Sequence, residues 1–327
     1  MSEHQRPKKK ADKRPSDIDC WVLKQFGGVD ARASIIQHAE ELVRSAGTRN
    51  APVKLSEIAN LLNVNPAPIY SEGSTQGALK IVNGQLRIVL RSKIKRPPPA
   101  GSVSFRRMRF TYSHELAHAL FYDREHKPPI RIAPRGCYRD EESLCNCAAA
   151  TFLMPEYLLR PLLDHVAEPS LDLLEELAQL FQVSVHVVAI QSRALFQPKL
   201  HDDRVYMLSC KSSGPARTSV EKPRCVLAFV SANLSRKGVR ILNPNQGIER
   251  ISSNNAPPSG GWSLSVNFDK LITARPNEVM TVDEMLTCPG GEMVHFIGQH
   301  IARGSFIWTS GRVEVARLPR KLEQGAD

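Results

Sequence analysis

Apolar residues recur every three to four positions over residues 30–46, where Ile35, Ile36, Ala39, Leu42 and Val43 share one face. That period marks an amphipathic helix, and Gly47 is a fitting stop. The stretch PVKLSEIANLL (52–62) repeats the rhythm with Leu55, Ile58, Ala59 and Leu62 on one side. The pattern then changes. ALKIVNGQLRIVL (78–90) is apolar and β-branched on both sides of Asn83-Gly84. Asn-Gly accepts the positive φ of a tight turn, so a β-hairpin is expected. A basic, proline-rich loop (91–102) leads into a helix expected over 105–123. A polar stretch (124–139) precedes another helix, expected from about Asp140 to Met154 and closed by Pro155.

Residues 171–195 read as two helices joined at Gln182–Ser184, with the rhythm of a helix-turn-helix. After about residue 200 the helical period fades. Short apolar runs such as RCVLAFV, EMVHFIG and FIWTSGRVEVARL are punctuated by Gly, Pro, Asn and Ser. This predicts a β-rich α+β C-terminal domain with a helix or two, containing a flexible loop at 252–261. No internal repeat is present. The expected organisation is a disordered basic tail (1–17), an α+β domain (18–198) that includes the helix pair, and the β-rich domain (199–327).

Composition narrows the class. A chain of 327 residues accommodates two or three domains, and 42% hydrophobic with 24% charged residues is ordinary for a globular protein. No run approaches eighteen apolar residues, so no membrane span is expected. The charged N-terminus lacks the apolar core of a secretory signal. The seven cysteines are an odd number without a CxxC pair, which suits a reduced, cytoplasmic setting. The net charge of +11 suits an acidic partner. The basic tail (Arg6, Lys8, Lys9, Lys10, Lys13, Arg14) reads as a solvated arm, with weak nucleic-acid binding as its other use.

The chemistry concentrates in FTYSHELAHALFYD (110–123). On a helix, His114 and His118 lie one above the other and can offer two imidazoles to one ion. Glu115 sits at the edge of that face, where it can act as a general base without being a ligand. This is the arrangement of a zinc metallopeptidase. A third ligand is required. Glu141 and Glu142, at the start of the following helix, are candidates, and Asp123 and His126 are nearer rivals. The bland reading of the two glutamates is dipole compensation in a first helical turn.

RFTYSHELAHALF followed by EESLCNCAAATFLMP resembles the ImmA/IrrE family of metallo-endopeptidases over about residues 30–195. The family pattern joins HELGH or HELAH to a later segment E-x-x-A-N-x-F-A-x-x-L-L-M-P. Its glutamate falls on Glu142, its asparagine on Asn146, and Leu153-Met154-Pro155 closes the segment. The resemblance implies a zincin-like fold, with His114, His118 and Glu142 as metal ligands and Glu115 as the base. It implies Zn2+ as cofactor, with Mn2+ or Fe2+ as alternatives, and a helix-turn-helix repressor as protein substrate. Where the family often has a histidine four residues after the second ligand, this chain has Tyr122, whose hydroxyl is a candidate for transition-state support. Cys145 and Cys147 replace an alanine and a phenylalanine, and both read as packing residues.

Two other readings come from other classes. In one, the chain is a DNA-binding regulator that uses the basic tail and the helices at 171–195. That second helix offers only His186, Gln191, Ser192 and Arg193 as readers, so a packing role is the better expectation. In the other, the metal is structural or sensory. His295 and His300 stand five apart in an apolar context and read as ordinary histidines. Residues 199–327 carry no motif; a sensory or docking role is what the resemblance implies.

Overall fold

Ser16 starts the first helix, which the apolar pattern alone does not announce. Its hydroxyl accepts from the Asp19 backbone N–H, and Asp19 accepts in return from the Ser16 N–H, a reciprocal capping box. The resulting helix α1 (Asp17–Phe26) buries Ile18 and Val22. Ser16 and Asp17 therefore belong to a helix rather than to the expected tail. The computed structural model describes residues 15–73, 75–196, 204–210, 224–230, 239–240, 262–263, 279–287, 293–303 and 306–315. The basic tail up to residue 14 and the loop at 252–261 lie outside these.

The chain divides into two compact units, Met1–Leu158 with Leu180–Val183, and Leu159–Gln179 with Ser184–Asp327. In the first unit the expected helices are α2 (Ala31–Ser45) and α3 (Leu55–Leu61). A strand that was not anticipated follows, β1 (Val64–Ser71), whose two prolines weaken any strand signal. The hairpin forms as expected from β2 (Gly77–Val82) and β3 (Gln85–Arg91), with Asn83 at φ 51 and Gly84 at φ 74. The sheet order is β1-β3-β2, with β1 parallel and β2 antiparallel to β3. Leu86, Ile88 and Leu90 of β3 are buried, so alternation turns one sheet face inward.

Helix α4 (Val103–His118) packs against β2 and β3 on one side and helix α5 (Tyr138–Leu153) on another, and α5 also packs on α2. Small residues line the α4–α5 contact: Ser113, Ala117, Ala148 and Ala149 are all fully buried. The Ser113 hydroxyl donates to the Ala149 carbonyl at 3.0 Å, which satisfies a buried polar group across the helix pair. Helix α4 ends at His118, earlier than expected. A 3-10 turn (Ala119–Phe121) follows, and the chain enters β4 (Tyr122–Asp123), paired with β5 (Ile130–Arg131). The Ile132 and Ala133 N–H groups both donate to the Phe121 carbonyl, so the backbone reverses where a longer helix would have run on. Tyr122 is consequently a strand residue.

After Pro155 comes α6 (Glu156–Leu163). In the second unit, α7 (Leu171–Leu180) and α8 (Val185–Phe196) meet at 110°, with Gln182 in the left-handed region at φ 54 between them. Ser184 caps α8 through a 3.3 Å hydrogen bond from the Val187 N–H. Strands β6 (Arg204–Cys210), β7 (Arg224–Val230), β10 (Val279–Thr287), β11 (Met293–Arg303) and β12 (Phe306–Val315) form an antiparallel sheet in the order β10-β11-β12-β6-β7. Two-residue strands β8 (Val239–Arg240) and β9 (Trp262–Ser263) pair in parallel. Helix α8 packs on β7, and most of the helix pair falls in the second unit, with Leu180–Val183 in the first.

Tyr206, Leu208 and Trp308 are buried in the sheet. His300 is also buried, 2.7 Å from the Thr309 hydroxyl, and burial lowers its pKa to about 4. It is a neutral core histidine. Among the described residues eight α-helices accompany these small sheets, a mixed α+β structure consistent with a zincin-like fold, and no single helix is long and apolar enough to cross a membrane.

Phe152 of α5 is fully buried. Phe152→Ala is expected to cost about 3–5 kcal/mol, read as a lower urea midpoint at unchanged slope. A midpoint shift of only a few tenths of a molar would place this ring outside the core that holds α5.

Candidate metal centre

Ser102 caps α4 by accepting from the Phe105 N–H at 3.1 Å, which sets the start of the helix that carries the two histidines. One turn separates His114 from His118, and their Nε2 atoms lie 3.3 Å apart. The first turn of α5 faces them. Glu142 places Oε2 3.1 Å from His114 Nε2 and Oε1 3.3 Å from His118 Nε2. The three side chains are half-buried and converge on one point.

What lies behind the rings decides their protonation. His114 Nδ1 is 3.0 Å from Asn146 Oδ1, and His118 Nδ1 is 3.0 Å from Glu141 Oε1. Both partners are oxygens that accept, so each ring donates from Nδ1 and, when neutral, presents a lone pair at Nε2. Two lone pairs and a carboxylate therefore meet with no hydrogen between them. Such a set repels itself unless a cation or a proton occupies its centre. Tetrahedral bonds of about 2.0–2.1 Å to nitrogen and oxygen put ligand atoms about 3.3 Å apart. The separations of 3.1–3.3 Å match, so the residues present fit a small divalent ion.

Of the two neighbouring glutamates, only Glu142 faces both Nε2 atoms. Glu141 turns to the outer edge of His118, where Arg131 of β5 grips it with both terminal nitrogens. Burial opposes ionisation of Glu141, but hydrogen bonds from His118 and Arg131 outweigh it and hold the carboxyl at about 2. For His118, burial lowers the pKa, yet the Glu141 hydrogen bond and the surrounding carboxylates raise it overall. In the ion-free site a proton thus competes for the position an ion would take. Cys145 lies buried with its sulfur 3.4 Å from His118 Nδ1, and burial pushes its thiol well up. It is an inert packing group beside the ligand.

Glu115 lies on the same helix but its carboxylate is docked on β2. It is 9% exposed, and burial raises its pKa, opposed by the two histidines and by a hydrogen bond from the Leu79 N–H. The close approach requires Gly77: a Cβ there would stand 2.6 Å from Thr111 Cγ2 and 2.8 Å from Glu115 Oε1. The rival ligands are elsewhere. Asp123 accepts from the Glu125 and His126 N–H groups in the loop after β4, and neither Asp123 nor His126 joins the cluster. Tyr122, with its hydroxyl against Arg131, belongs to the support of Glu141. Another phenol stands nearer. Tyr138, 73% exposed at the start of α5, hydrogen-bonds Glu142, whose negative charge raises the phenol's pKa.

Three contributors escape a reading of sequence. Arg131 sits in a short strand whose pairing with Tyr122 has no local signal. Gly77 looks like the ordinary start of a hairpin strand. Tyr138 carries the single available clue, its position one turn before Glu142.

Glu141→Gln and Arg131→Met each loosen the hold on His118 and are expected to weaken metal affinity by about 10–100-fold, measured by chelator competition with helicity unchanged. The metal-free chain should also carry an acid signature of Glu141. A depressed carboxylate contributes stability that is complete above its ordinary range and is lost as pH falls from about 4.5 toward about 2. Across that window the wild type should lose stability faster than Glu141→Gln in urea titrations; parallel curves would refute the ion-paired state of Glu141.

Residues 102–192 match the model of the IrrE N-terminal-like domain family, peptidase M78. No curated protein matches the chain. Among solved structures, a Mycobacterium tuberculosis transcriptional regulator aligns with TM-score 0.42 and 11% identity, covering 90% of this chain and 79% of that one. At that score the likeness carries no weight. The family match spans α4, α5 and the helices that follow, and so contains every residue of the convergent cluster. Residues 102–192 of this chain are thus similar to the IrrE N-terminal-like domain of the peptidase M78 family, in keeping with the ImmA/IrrE resemblance of its motifs.

Proposed function

We propose that the chain is a metal-dependent endopeptidase that hydrolyses a peptide bond in a protein substrate, with zinc as its ion. The observation that carries this reading is the pair of Nε2 lone pairs facing the Glu142 carboxylate at 3.1 and 3.3 Å, with both rings locked from behind by Asn146 and Glu141. Manganese and iron accept the same donors, and affinity order alone does not set occupancy. The resemblance implies a helix-turn-helix repressor as substrate, cut to relieve repression.

When bound, the ion supplies a Lewis acid that polarises a peptide carbonyl and makes water more acidic. The chain's own groups handle the protons. Glu115 takes the proton of the attacking water and delivers it to the leaving amine. Its raised pKa suits both directions, because a carboxyl held above its usual range accepts a proton more readily. Asn146 and Glu141 keep the ring protons on Nδ1 throughout. Tyr138 is the exposed phenol placed to meet a substrate carbonyl, while Tyr122 serves Arg131.

The rival reading as a DNA-binding regulator has less support. The exposed positions of α8 are His186, Ile190, Arg193 and Ala194, a face poor in the side chains that read bases. A purely structural or sensory ion is separated from the enzyme by one substitution.

Glu115→Gln is expected to keep metal content and fold while abolishing cleavage of a casein or repressor substrate. Substantial proteolysis by this variant would remove Glu115 from its role, and unchanged biology would favour the structural ion. Gly77→Ala, which drives a methyl group into the Glu115 carboxylate, should lower kcat by about 100-fold at unchanged metal content. A Gly77→Ala enzyme of normal kcat would show that the base does not work from its seat on β2.

A further inference from the structure

Between Gly73 and His114 the chain has nine Lys and Arg residues and no Asp or Glu, against a net charge of +11 for all 327 residues. This run builds β2, β3, the connecting loop and most of α4, the side of the site on which Glu115 is seated. Six of the cations are exposed: Lys80, Arg91, Lys93, Lys95, Arg96 and Arg107. Among the described residues, every ion pair involves other groups, and none of these six meets a carboxylate. Folding has therefore left the charge of this wall uncompensated. The opposite wall differs. The start of α5 and the residues just before it interleave Arg135, Arg139, Asp140, Glu141 and Glu142.

We infer that this wall selects acidic segments of protein chain, so that the substrate carries Asp or Glu beside the bond that is cut. The inference rests on the endopeptidase reading and deepens it. Arg107 gives the sharpest form. It lies seven residues before His114, so it shares the helix face of Thr111, His114 and His118. A rise of 1.5 Å per residue puts it about 10 Å up the face from His114. An extended peptide advances about 3.3 Å per residue, so an acidic side chain about three residues from the scissile bond meets Arg107. The exposed lysines of the 92–96 loop extend the field.

Nucleic acid is the other polyanion to consider, and the surface favours it less. Binding of single strands relies on exposed aromatic rings for stacking. Within 73–114 the aromatic residues Phe105, Phe110 and Tyr112 are half-buried or buried, and none is exposed. Peptide carboxylates need only the cations.

The test uses the full chain as Glu115→Gln, loaded with zinc, and fluorescein-labelled 16-residue peptides that are acidic, neutral (Glu replaced by Gln) or basic, with a 20-nucleotide DNA strand and a 20-base-pair duplex alongside. Fluorescence anisotropy should show the acidic peptide binding about tenfold more tightly than the neutral one, with the gap closing at high salt. Arg107→Glu should remove most of the preference. Should that variant fold poorly by circular dichroism, Lys93→Gln with Lys95→Gln in the exposed loop is expected to reduce it instead. Equal binding of acidic and neutral peptides overturns the inference, as does tight binding of DNA without the acidic peptide. Metal content and casein cleavage by the wild type are read separately. Their loss would refute the endopeptidase, whereas their presence with no charge preference would refute only the acidic wall.

Discussion

Two imidazole nitrogens and a carboxylate oxygen are held within about 3.3 Å of one another with no proton of their own to share. That constraint organises the first unit. Three acceptors in contact are unfavourable by themselves, so other interactions must hold them. The α4–α5 contact does so through small buried side chains and the Ser113 hydroxyl bond to Ala149. The Asn146 and Glu141 oxygens direct the ring protons backwards, and Arg131 in turn neutralises Glu141. Each layer removes a freedom from the layer in front of it. The same logic explains the ribbon of β4 and β5, whose one visible purpose at the site is to bring Arg131 back to α5.

Electrostatics then separates the three glutamates without any change of residue type. Glu141 is driven down to about 2 by a guanidinium and an imidazole. Glu115, one helix turn from His118, is driven up by burial against β2 in spite of the two histidines. Glu142 lies between them in the half-exposed centre. Under the proposed function the three glutamates take three tasks, a proton carrier, a ligand and an orienting group, because they face different neighbours.

The sheet contributes through what it lacks. Gly77 has no side chain to keep Glu115 away, and Leu79 offers its N–H to the carboxylate. The strand that seats the Glu115 carboxylate also bears the exposed Lys80. Carboxylates therefore lie at the centre of the cluster, and exposed cations lie on the neighbouring surface of β2, the 91–102 loop and α4. In the second unit the buried aromatic pair, Tyr206 and Trp308, and the neutral His300 belong to a packed sheet core.

Much of this was legible in the sequence wherever the determining physics is local. The spacing of His114 and His118 needs only the helical repeat, the hairpin needs only Asn83 and Gly84 in their positive-φ turn, and the joint of the helix pair at Gln182–Ser184 needs only the cap that Ser184 supplies. The early end of α4, and with it the transfer of Tyr122 from helix to strand, was not legible, because both depend on hydrogen bonds from Ile132 and Ala133 to Phe121 across the loop. The choice between Glu141 and Glu142 was equally out of reach of spacing alone. Neighbours on a helix point about 100° apart, so the rotation of α5 against α4 decides which carboxylate faces the rings. That rotation is set by the buried Ser113, Ala148 and Ala149, residues the motif never mentions. Sequence by itself determined the kinds of group and their local spacing; tertiary packing decided which of them meet, since only the folded core fixes the orientation of one helix to another.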